Sequence, residues 1–287
     1  MSNGSWSAKA KLFRAAHDGK PLLLANAWDA ASAVVVAATG AKAIATSSAG
    51  VAWSQGYRDG ERIPAAEMAA AVRRITRVVD LPVTADIEAG YGPDPADVAA
   101  TVTAIIHAGA VGVNLEDSRR PGGPLFDVAA QCARIRAAKD AAAAAGCPEL
   151  FVNARTDGYL FAIGDPAGRL DEVLCRAEAY ADAGADGLFV PWLFDLDTLK
   201  RISTTTPLPV NAGIMPGGPT VAELAGAGVR RISLGSWLAQ TAMAVTMATA
   251  SDALQRGTFD RVAEGLAFDA MNSLLPAEPA NGERPTC

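Results

Sequence analysis

Residues 81–92 read Leu-Pro-Val-Thr-Ala-Asp-Ile-Glu-Ala-Gly-Tyr-Gly. The apolar run from Leu81 to Ala85 predicts a short buried strand, and the glycines behind it leave room for a ligand beside the backbone. Asp86 and Glu88 are two residues apart, so both carboxylates lie on one side of the strand's C-terminal end. Because like charges repel, we expect this end to bind a cation. Hard oxygen ligands of this kind suit Mg²⁺ or Mn²⁺.

Similar short apolar runs recur along the chain, each followed by a helical pattern. The predicted strands are Leu22–Asn26, Ala43–Ser47, Val83–Ile87, Gly112–Glu116, Leu150–Ala154, Gly187–Val190, Leu208–Ala212 and Arg231–Leu234. The Ala-rich amphipathic segments between them include Pro64–Val79, Pro95–Ala108, Asp127–Ala145 and Leu170–Ala183. Several of these segments end in a phrase such as Ala108-Gly109-Ala110, in which the glycine predicts a helix C-cap.

The alternation of strand and helix predicts an α/β fold with parallel strands, because the strands are apolar on both faces. Eight such units in 287 residues fit a (β/α)8 TIM barrel as a single domain. A doubly wound open sheet is the alternative, but it would want a glycine-rich dinucleotide fingerprint after the first strand. The chain has Asn26-Ala27-Trp28-Asp29 at that point, so the barrel is favoured.

We expect the barrel to occupy residues 1–240. Helical patterns at Trp237–Ala250 and Phe259–Asn272 exceed what one barrel-closing helix needs, and they predict a C-terminal helical extension over residues 241–274. Such an extension can pack on a neighbouring subunit by exchange between subunits. Residues 275–287 are rich in Pro, Glu and Asn and are predicted to be disordered.

Composition excludes several classes of function. The net charge of −6, without any block of Lys or Arg, argues against a nucleic-acid partner. No apolar run approaches the roughly 20 residues needed to cross a bilayer, and residues 1–11 are polar and lack the apolar stretch typical of a signal peptide. We therefore expect a cytoplasmic protein with no membrane partner. The four cysteines, at positions 132, 147, 175 and 287, are expected to be reduced and structural.

The two histidines, His17 and His107, fall within helical patterns, and neither is a candidate base or metal ligand. Chemistry must therefore depend on other groups. Polar residues concentrate at the C-terminal ends of the predicted strands, where barrel enzymes place their working residues. They are Asn26, Trp28, Asp29, Thr46, Ser47, Ser48, Asp59, Asp86, Glu88, Asn114, Glu116, Asp117, Asn153, Arg155, Asp157 and Asn211. For any single member, a role as a loop or capping group is the alternative.

Four of these carboxylates are expected to surround one arginine, Arg155. The acids, which are Asp59, Asp86, Glu88 and Glu116, can hold one divalent ion directly or through waters. Arg155 can clamp a substrate carboxylate, and backbone amides from Ser47 to Gly50 can support the same group. A metal beside such a clamp suits a 2-oxo acid, because the ion then acts as a Lewis acid toward the enolate.

At this point the chain resembles the isocitrate lyase/phosphoenolpyruvate mutase superfamily, from Leu24 to about Gly235. The family's Asp-x-Asp and Gly-aromatic-Gly motif corresponds to residues 86–92, and its Glu-Asp pair corresponds to Glu116-Asp117. Its Ala-Arg-Thr-Asp corresponds to residues 154–157, and its Gly-x-Arg-Asp to residues 56–59. Any one of these motifs alone is weak, whereas together they are specific.

The resemblance implies a role for each matching residue. Asp86 would ligate the metal directly, and Asp59, Glu88 and Glu116 would bind it through waters. Catalytic roles fall to Arg155, Glu116 and Asp59. Ser47, Ala49 and Gly50 would hold the substrate carboxylate, and Asn211 is similar to the strand-7 asparagine of the lyase branch. Trp28, which follows the first predicted strand, is a further candidate for substrate binding. Members are usually tetramers that exchange a C-terminal helix, so a homotetramer arranged as a dimer of dimers is expected.

The departures from the family pattern concern the loop after the fourth strand. The lyase branch carries a Lys-(Lys/Arg)-Cys-Gly-His loop, whereas residues 118–125 read Ser-Arg-Arg-Pro-Gly-Gly-Pro-Leu. The Lys and Asn of the phosphonate-branch gating loop are also absent, as is the mutase histidine on the sixth strand. Genuine isocitrate lyase activity is therefore not expected. Arg119 and Arg120 can close over an anionic substrate, or they can belong to a solvated loop.

Three functions remain open. The first is a Mg²⁺-dependent lyase or hydrolase that cleaves a C–C bond in a small 2-oxo or 2-hydroxy carboxylate through a metal-stabilised enolate. The second is phosphonate P–C chemistry, and the third is a barrel that binds a metabolite without turning it over. A Schiff-base aldolase is disfavoured, because none of the lysines, at positions 9, 11, 20, 42, 139 and 200, ends a predicted strand.

Overall fold

The computed structural model describes residues 3–119 and 122–277. These residues form nine short strands in one sheet, in which every neighbouring pair is parallel. The strands are β1 (Leu22–Leu24), β2 (Asn26–Ala27), β3 (Ile44–Thr46), β4 (Val83–Asp86), β5 (Gly112–Glu116), β6 (Phe151–Arg155), β7 (Gly187–Val190), β8 (Val210–Gly213) and β9 (Arg231–Ser233). Their bounds agree with the predicted strands to within two residues.

The sheet closes on itself through two halves of one strand. β1 pairs with β9, and β2 pairs with β3, so the two segments are successive parts of the first barrel strand. The ring therefore has eight strand positions, and the chain forms a (β/α)8 barrel. The predicted fold is confirmed, and the doubly wound alternative is wrong.

Asn26 bridges the interruption in the first strand. Its Nδ2 donates to the carbonyl oxygen of Thr46 on one side at 2.9 Å, and its Oδ1 accepts from the amide of Gly235 on the other side at 2.9 Å. The side chain is buried. One side-chain amide thus links the strands that flank the junction at the C-terminal end of the barrel.

The helices surround this ring. They are α1 (Asn3–Ala15), α2 (Ala30–Ala38), α3 (Ser48–Ser54), α4 (Ala65–Thr76), α5 (Pro95–His107), α6 (Val128–Ala144), α7 (Arg169–Asp182), α8 (Leu196–Thr205), α9 (Val221–Gly226), α10 (Trp237–Ser251) and α11 (Phe268–Leu274). Local sequence sets their ends: Asp127 accepts from the amide of Ala130 at the start of α6, and Gly109 takes φ +100° after α5. Within the described part of the chain, none of the helices has the length and apolar character needed to span a membrane.

Helix α1 packs against the N-terminal end of the barrel. Phe13 is fully buried and meets Phe151, the first residue of β6, edge to face with ring centroids 5.5 Å apart. The guanidinium of Arg231, the first residue of β9, lies 5.8 Å from the same Phe13 ring. His17 follows α1 in a buried turn, so its assignment to a helical pattern is wrong, whereas His107 ends α5 as expected.

The C-terminal segment departs from the predicted helices. α10 matches the first one, but the predicted helix Phe259–Asn272 is wrong: a 3₁₀ helix (Asp260–Glu264) and α11 replace it. Gly265 takes an extended conformation (φ −69°, ψ 153°), which separates the two. Residues 278–287 of the predicted disordered tail lie outside the described residues. Large apolar side chains are exposed along this segment: Met243, Val245, Met247, Leu254, Phe259, Val262, Leu266 and Phe268.

Candidate active site

A cavity of about 410 Å³ opens at the C-terminal ends of the strands. Three charged residues expected in the site line it, namely Asp59, Asp86 and Arg155. This is the end at which barrel enzymes place their chemistry. The remaining polar lining comes from Asn26, Ser47, Ser48, Asn114, Ser233, Ser236 and Gln240.

Asp86 ends β4, and its position is fixed by the neighbouring strand. Its Oδ2 accepts a hydrogen bond from Ser48 Oγ at 3.0 Å, and its backbone amide donates to Thr46 Oγ1 at 2.9 Å. Both partners belong to the end of β3 and the turn after it. The parallel pairing of β3 with β4 therefore aims this carboxylate into the cavity.

Glu88 lies behind Asp86 and is buried. Its backbone has φ +50°, a left-handed conformation that non-glycine residues rarely adopt. Its Oε2 accepts from the amide of Glu61 at 2.5 Å. Burial raises the pKa of Glu88 to about 8, and the charges of Asp59 and Asp86 contribute in the same direction.

Asp59 shares this electrostatic environment. Burial raises the pKa of Asp59, and repulsion from Asp86 raises it further, while the Gly60 amide and the Arg155 charge oppose the shift. Carboxylates whose charges mutually raise their pKa values are stabilised by a cation. The protein oxygens at this end of the barrel thus carry an excess of negative charge.

Arg155 ends β6 and forms two ion pairs. Its Nη1 lies 2.9 Å from Glu116 Oε2, and its Nε lies 2.6 Å from Asp157 Oδ1. Burial lowers the pKa of Arg155, but the carboxylates of Asp157 and Glu116 more than offset this effect, and the net pKa is raised. Burial raises the pKa of Glu116, while Arg155 opposes that shift. None of the hydrogen bonds among the described residues uses Arg155 Nη2.

A buried hydrogen-bond network, which we call the Asp117 brace, joins Asp117, Arg176 and Tyr180 and holds the backbone of Asp157, the partner of Arg155. Asp117 Oδ1 accepts from the amide of Asp157 at 3.0 Å. Its Oδ2 accepts from the Tyr180 hydroxyl at 2.8 Å and from Arg176 Nη1 at 3.3 Å. Arg176 and Tyr180 come from α7, so this helix fixes the turn that follows β6. Asp117 is therefore occupied by structural contacts.

Arg134 of α6 holds the loop behind Glu88. Its Nη1 donates to the carbonyl oxygens of Gly92 and Pro93, at 2.8 and 2.7 Å, and its Nη2 donates to that of Ala89. The guanidinium stacks on Phe126 at 4.1 Å from the ring centroid. One buried cation thus satisfies the backbone of the Gly-Tyr-Gly turn.

The turn after β3 offers fewer backbone donors than expected. The amide of Ser47 donates to the carbonyl oxygen of Ala27 at 3.0 Å, and the amide of Gly50 donates to Ser47 Oγ at 3.3 Å. Ser47 is the N-cap of α3, so the next two amides, those of Ser48 and Ala49, begin the helix without an intrahelical acceptor. Both residues line the cavity.

A second part of the cavity lining is apolar and includes several aromatic rings. Trp192 and Phe194 meet edge to face with ring centroids 5.5 Å apart. Trp237 is oriented by a hydrogen bond from its indole nitrogen to the carbonyl oxygen of Ile214 at 3.0 Å. The apolar lining side chains are Leu160, Phe189, Pro191, Trp192, Phe194, Ile214, Leu234 and Trp237. The cavity lining therefore combines charged side chains with a set of apolar side chains. We call that apolar set the aromatic wall.

Comparison of the chain with known protein families identifies the family to which it belongs. The family model described as phosphoenolpyruvate phosphomutase matches residues 13–254, which is most of the chain. The chain belongs to the phosphoenolpyruvate mutase/isocitrate lyase superfamily. The resemblance found in the sequence motifs is thereby confirmed.

Relatives of this superfamily member include enzymes and uncharacterised proteins. An uncharacterised protein of Mycobacterium tuberculosis is 40% identical over 224 residues, 77% of this chain and 80% of that protein. The 2-methylisocitrate lyase of Salmonella typhimurium is 34% identical over 225 residues, 75% of this chain and 73% of the lyase. A solved structure from Burkholderia cenocepacia J2315, provisionally named a phosphonomutase, is 48% identical with a TM-score of 0.81. The match between the two covers 85% of this chain and 99% of the Burkholderia chain.

The donor set of the superfamily member fits a magnesium ion held mainly through water. No group of three or more His, Cys, Asp or Glu side chains among the described residues is close enough to enclose a metal. Mg²⁺ does not need such a cage, because it keeps several waters and binds one or two carboxylates. Asp86 and Asp59 supply carboxylates at the cavity wall, and burial together with repulsion from Asp86 raises the pKa of Asp59.

The expected substrate-binding residues are only partly brought together. Ser47 and Ala49 line the cavity, whereas Trp28 and Gly50 pack against each other behind it, where a Cβ on Gly50 would lie 2.8 Å from Trp28 Cβ. Asn211 is fully buried inside the barrel. Arg119 stacks at 5.2 Å from the Phe126 ring centroid and does not line the cavity, and Arg120 lies outside the described residues.

Glu88 and Glu116 are also buried behind the cavity wall and are not part of its lining. The interpretation of the sequence missed the aromatic wall, the Asp117 brace and Arg231. Trp192 lies in the loop that follows β7 (ending at Val190), and Trp237 begins α10, which follows β9 (ending at Ser233), so the rule applied to polar residues would have found them. The contacts of Asp117 with Arg176 and Tyr180 could not be predicted from the sequence. The spacing of Arg176 and Tyr180 shows only that they share one face of α7.

Proposed function

We propose that the protein is a Mg²⁺-dependent (or Mn²⁺-dependent) lyase or hydrolase that cleaves a C–C bond in a small 2-oxo or 2-hydroxy carboxylate through an enolate. The observation that carries this proposal is that Asp59, Asp86 and Arg155 line one cavity. A divalent ion held by Asp86 and Asp59 would supply Lewis acidity toward the keto or hydroxyl oxygen. The kinship with 2-methylisocitrate lyase supports the same chemistry.

The chain's own residues would bind and orient the carboxylate end of the substrate. Arg155 Nη2 is available beside the cavity, while the ion pairs of Nη1 and Nε hold the guanidinium plane in place. The amides of Ser48 and Ala49 add neutral donors. Charge-assisted hydrogen bonds of this kind are about twice as strong as neutral ones and therefore determine the orientation.

The aromatic wall supports a substrate whose other end is an alkyl or aryl group. Trp192, Phe194 and Trp237 line the same cavity as the charged side chains, and Arg155 is the one cation in the lining formed by the described residues. A tricarboxylate would place further negative charge against aromatic rings, which is unfavourable without a partner. We therefore infer a monocarboxylate or dicarboxylate with an apolar substituent.

The deciding experiment is a screen of 2-oxo, 2-hydroxy and phosphono acids with Mg²⁺, following the release of pyruvate, glyoxylate or phosphate. We expect turnover of an acid with an apolar substituent and loss of turnover on chelation by EDTA. Binding of Mg²⁺ without consumption of any acid would instead identify a metabolite-binding barrel. Turnover that persists in EDTA would contradict the metal-dependent account.

Phosphonate P–C chemistry is the second candidate. It is favoured by the 48% identity to the Burkholderia protein provisionally named a phosphonomutase. The same constellation would serve, because phosphonopyruvate is also a 2-oxo acid. Phosphonopyruvate turnover at a kcat/KM above that for every carbon acid in the screen would establish this candidate over the first.

We also propose that the chain assembles into a homotetramer through its C-terminal segment. Leu254, Phe259 and Phe268 are 87%, 68% and 81% exposed. Monomeric proteins rarely expose a contiguous apolar surface of this kind. An apolar groove lies between α3 and α10, where Trp53, Met243 and Met247 line it. Exchange of the segment between subunits would bury both surfaces.

A further inference from the structure

The interior of the barrel holds a buried arginine without an acidic partner. Arg231 begins β9, is 1% exposed, and makes its single side-chain hydrogen bond among the described residues from Nη2 to Asn114 Oδ1, at 3.0 Å. Its Nε and Nη1 are buried without a protein partner in the described structure. Burial of an unpaired cation costs several kcal/mol, so a fold rarely retains one without a use.

The contact with Arg231 fixes the orientation of Asn114. A guanidinium carries donors only, so the atom of the Asn114 amide that faces it must be the oxygen. A second donor, Asn153 Nδ2, reaches the same oxygen at 2.9 Å. Two donors on one oxygen prevent the amide from turning over. Asn114 Nδ2 is therefore held on the opposite side.

That opposite side is the candidate active site. Asn114 lines the cavity together with Asp86, with which it is paired in register across β4 and β5. No hydrogen bond among the described residues uses Asn114 Nδ2. The polar network continues from Asn153 to Asn211 at 3.1 Å and from Ser233 to Asn211 at 3.2 Å, and Ser233 also lines the cavity.

We propose that Arg231 is a positioning residue that locks the Asn114 amide so that its Nδ2 donates to the anionic end of the substrate. Asn114 is then a substrate-binding residue at the cavity floor, beside the metal-binding carboxylate of Asp86. Because Arg231 carries a positive charge, it also polarises the amide and strengthens the donor. This inference rests on the proposed function.

The test uses oxalate, a planar dicarboxylate that presents the two chelating oxygens of a 2-oxo acid enolate. Its affinity in saturating Mg²⁺ is measured by isothermal titration calorimetry for the wild type and for Asn114→Ala, Arg231→Met and the double variant. We expect each single substitution to weaken binding by about tenfold or more, the value of one hydrogen bond to a charged ligand. The double variant should bind oxalate with an affinity within about twofold of that of the single variant that binds oxalate less tightly.

Arg14→Met is the matched control, because Arg14 is a partly buried arginine near the N-terminal end of the barrel that pairs with Asp186 and makes no contact with Asn114. It should lower thermal stability and leave oxalate affinity unchanged. Arg231→Lys keeps the charge with a single ammonium and should bind oxalate with an intermediate affinity, which keeps the test decisive if Arg231→Met does not fold.

The outcomes separate the two proposals. Wild-type protein that does not bind oxalate with Mg²⁺ would overturn the proposed function and this inference together. Normal wild-type binding with unchanged affinity in Asn114→Ala and in the Arg231 variants would overturn this inference alone. Additive losses in the double variant would also overturn it, because independent effects exclude a role of Arg231 through Asn114.

Discussion

His17 stacks on Phe151 beneath the barrel, with ring centroids 4.2 Å apart and an interplanar angle of 11°. Its Nδ1 lies 2.8 Å from the carbonyl oxygen of Phe13 and must therefore carry the proton. A second proton would have to bind at Nε2, which is buried without a partner among the described residues. Burial and, to a smaller extent, the nearby charge of Arg231 lower the pKa of His17 to about 4.

This histidine predicts a loss of stability in mild acid. The folded-state pKa is below the unfolded value of about 6.5, so the unfolded chain binds more protons between these values. Its contribution is fully present above pH 6.5 and is lost as the pH falls toward 4, by on the order of 3 kcal/mol in total. In urea unfolding from pH 7.5 to 4.5, the stability of wild type should fall relative to that of His17→Leu as the pH falls, because Glu88 and Asp59, whose pKa values are also shifted, titrate alike in both proteins. His107→Leu, at an exposed histidine, is the control and should follow the pH dependence of wild type.

Removal of the Asp86 carboxylate should abolish metal binding. Loss of an outer-shell partner already costs 10–100-fold in metal affinity, so Asp86→Ala is expected to weaken Mg²⁺ binding by more than about 100-fold and to remove activity. Titration calorimetry with Mg²⁺ measures the effect. Asp140→Ala, at an exposed acid of α6, should bind normally. Full activity in Asp86→Ala would refute the metal-enolate account.

The aromatic wall predicts a preference for apolar substituents. Each methylene buried against it should contribute about 0.8 kcal/mol, which is about fourfold in kcat/KM. Trp192→Ala should flatten this dependence on chain length while leaving the shortest substrate nearly unaffected. Trp53→Ala, at a tryptophan that does not line this cavity, is the control. An unchanged length dependence in Trp192→Ala would exclude the wall from substrate binding.

The buried brace predicts a stability cost at Tyr180. Its hydroxyl donates to Asp117 and accepts from Arg176, at 2.8 and 2.9 Å. Tyr180→Phe removes both bonds in a buried site and should lower the free energy of unfolding by about 1–3 kcal/mol. Tyr57→Phe removes an exposed hydroxyl that bonds Glu67 and should cost less than about 0.5 kcal/mol. Chemical denaturation compares the two, and equal costs would contradict a special role for the brace.

The exposed C-terminal segment predicts the assembly state. Wild-type protein should sediment as a tetramer, and Phe268→Glu with Leu254→Glu should shift it to smaller species, because charge at a buried apolar contact is unfavourable. Leu12→Glu makes the same exchange at an exposed position of α1 and should leave the assembly intact. A wild-type monomer in analytical ultracentrifugation would exclude assembly through this segment.

Sequence patterns predicted the fold well because they record local requirements. Buried parallel strands need apolar runs, and Gly109 marks the end of its helix, so strands and most helices could be located. The proximity of Asp59, Asp86 and Arg155 could be predicted because the C-terminal ends of parallel strands meet at one end of the barrel. Arg231 was missed because Arg230 precedes it: only the strand register shows which of the two points inward, although its alternation with Ser233 was a usable signal.

The helix predicted over 259–272 was wrong for a related reason. Its periodicity is compatible with a helix, but Gly265 permits an extended break, and the exposed apolar face depends on partners outside one chain. Trp28 was placed with the substrate because it follows a strand, yet its Cβ and Cγ lie against Gly50 and it is not part of the cavity lining. Tertiary packing, which no single strand end encodes, decided both positions.

The bridge made by Asn26 gives one amide two duties. It ties Thr46 to Gly235 across the interrupted first strand, and it also lines the cavity. A substitution of Asn26 that changes the shape of the cavity would also remove the two hydrogen bonds that link the strands on either side of the interrupted first strand. Evolution of new substrate preferences is therefore constrained at Asn26 and freer along the aromatic wall, where none of the described side chains hydrogen-bonds to the first barrel strand.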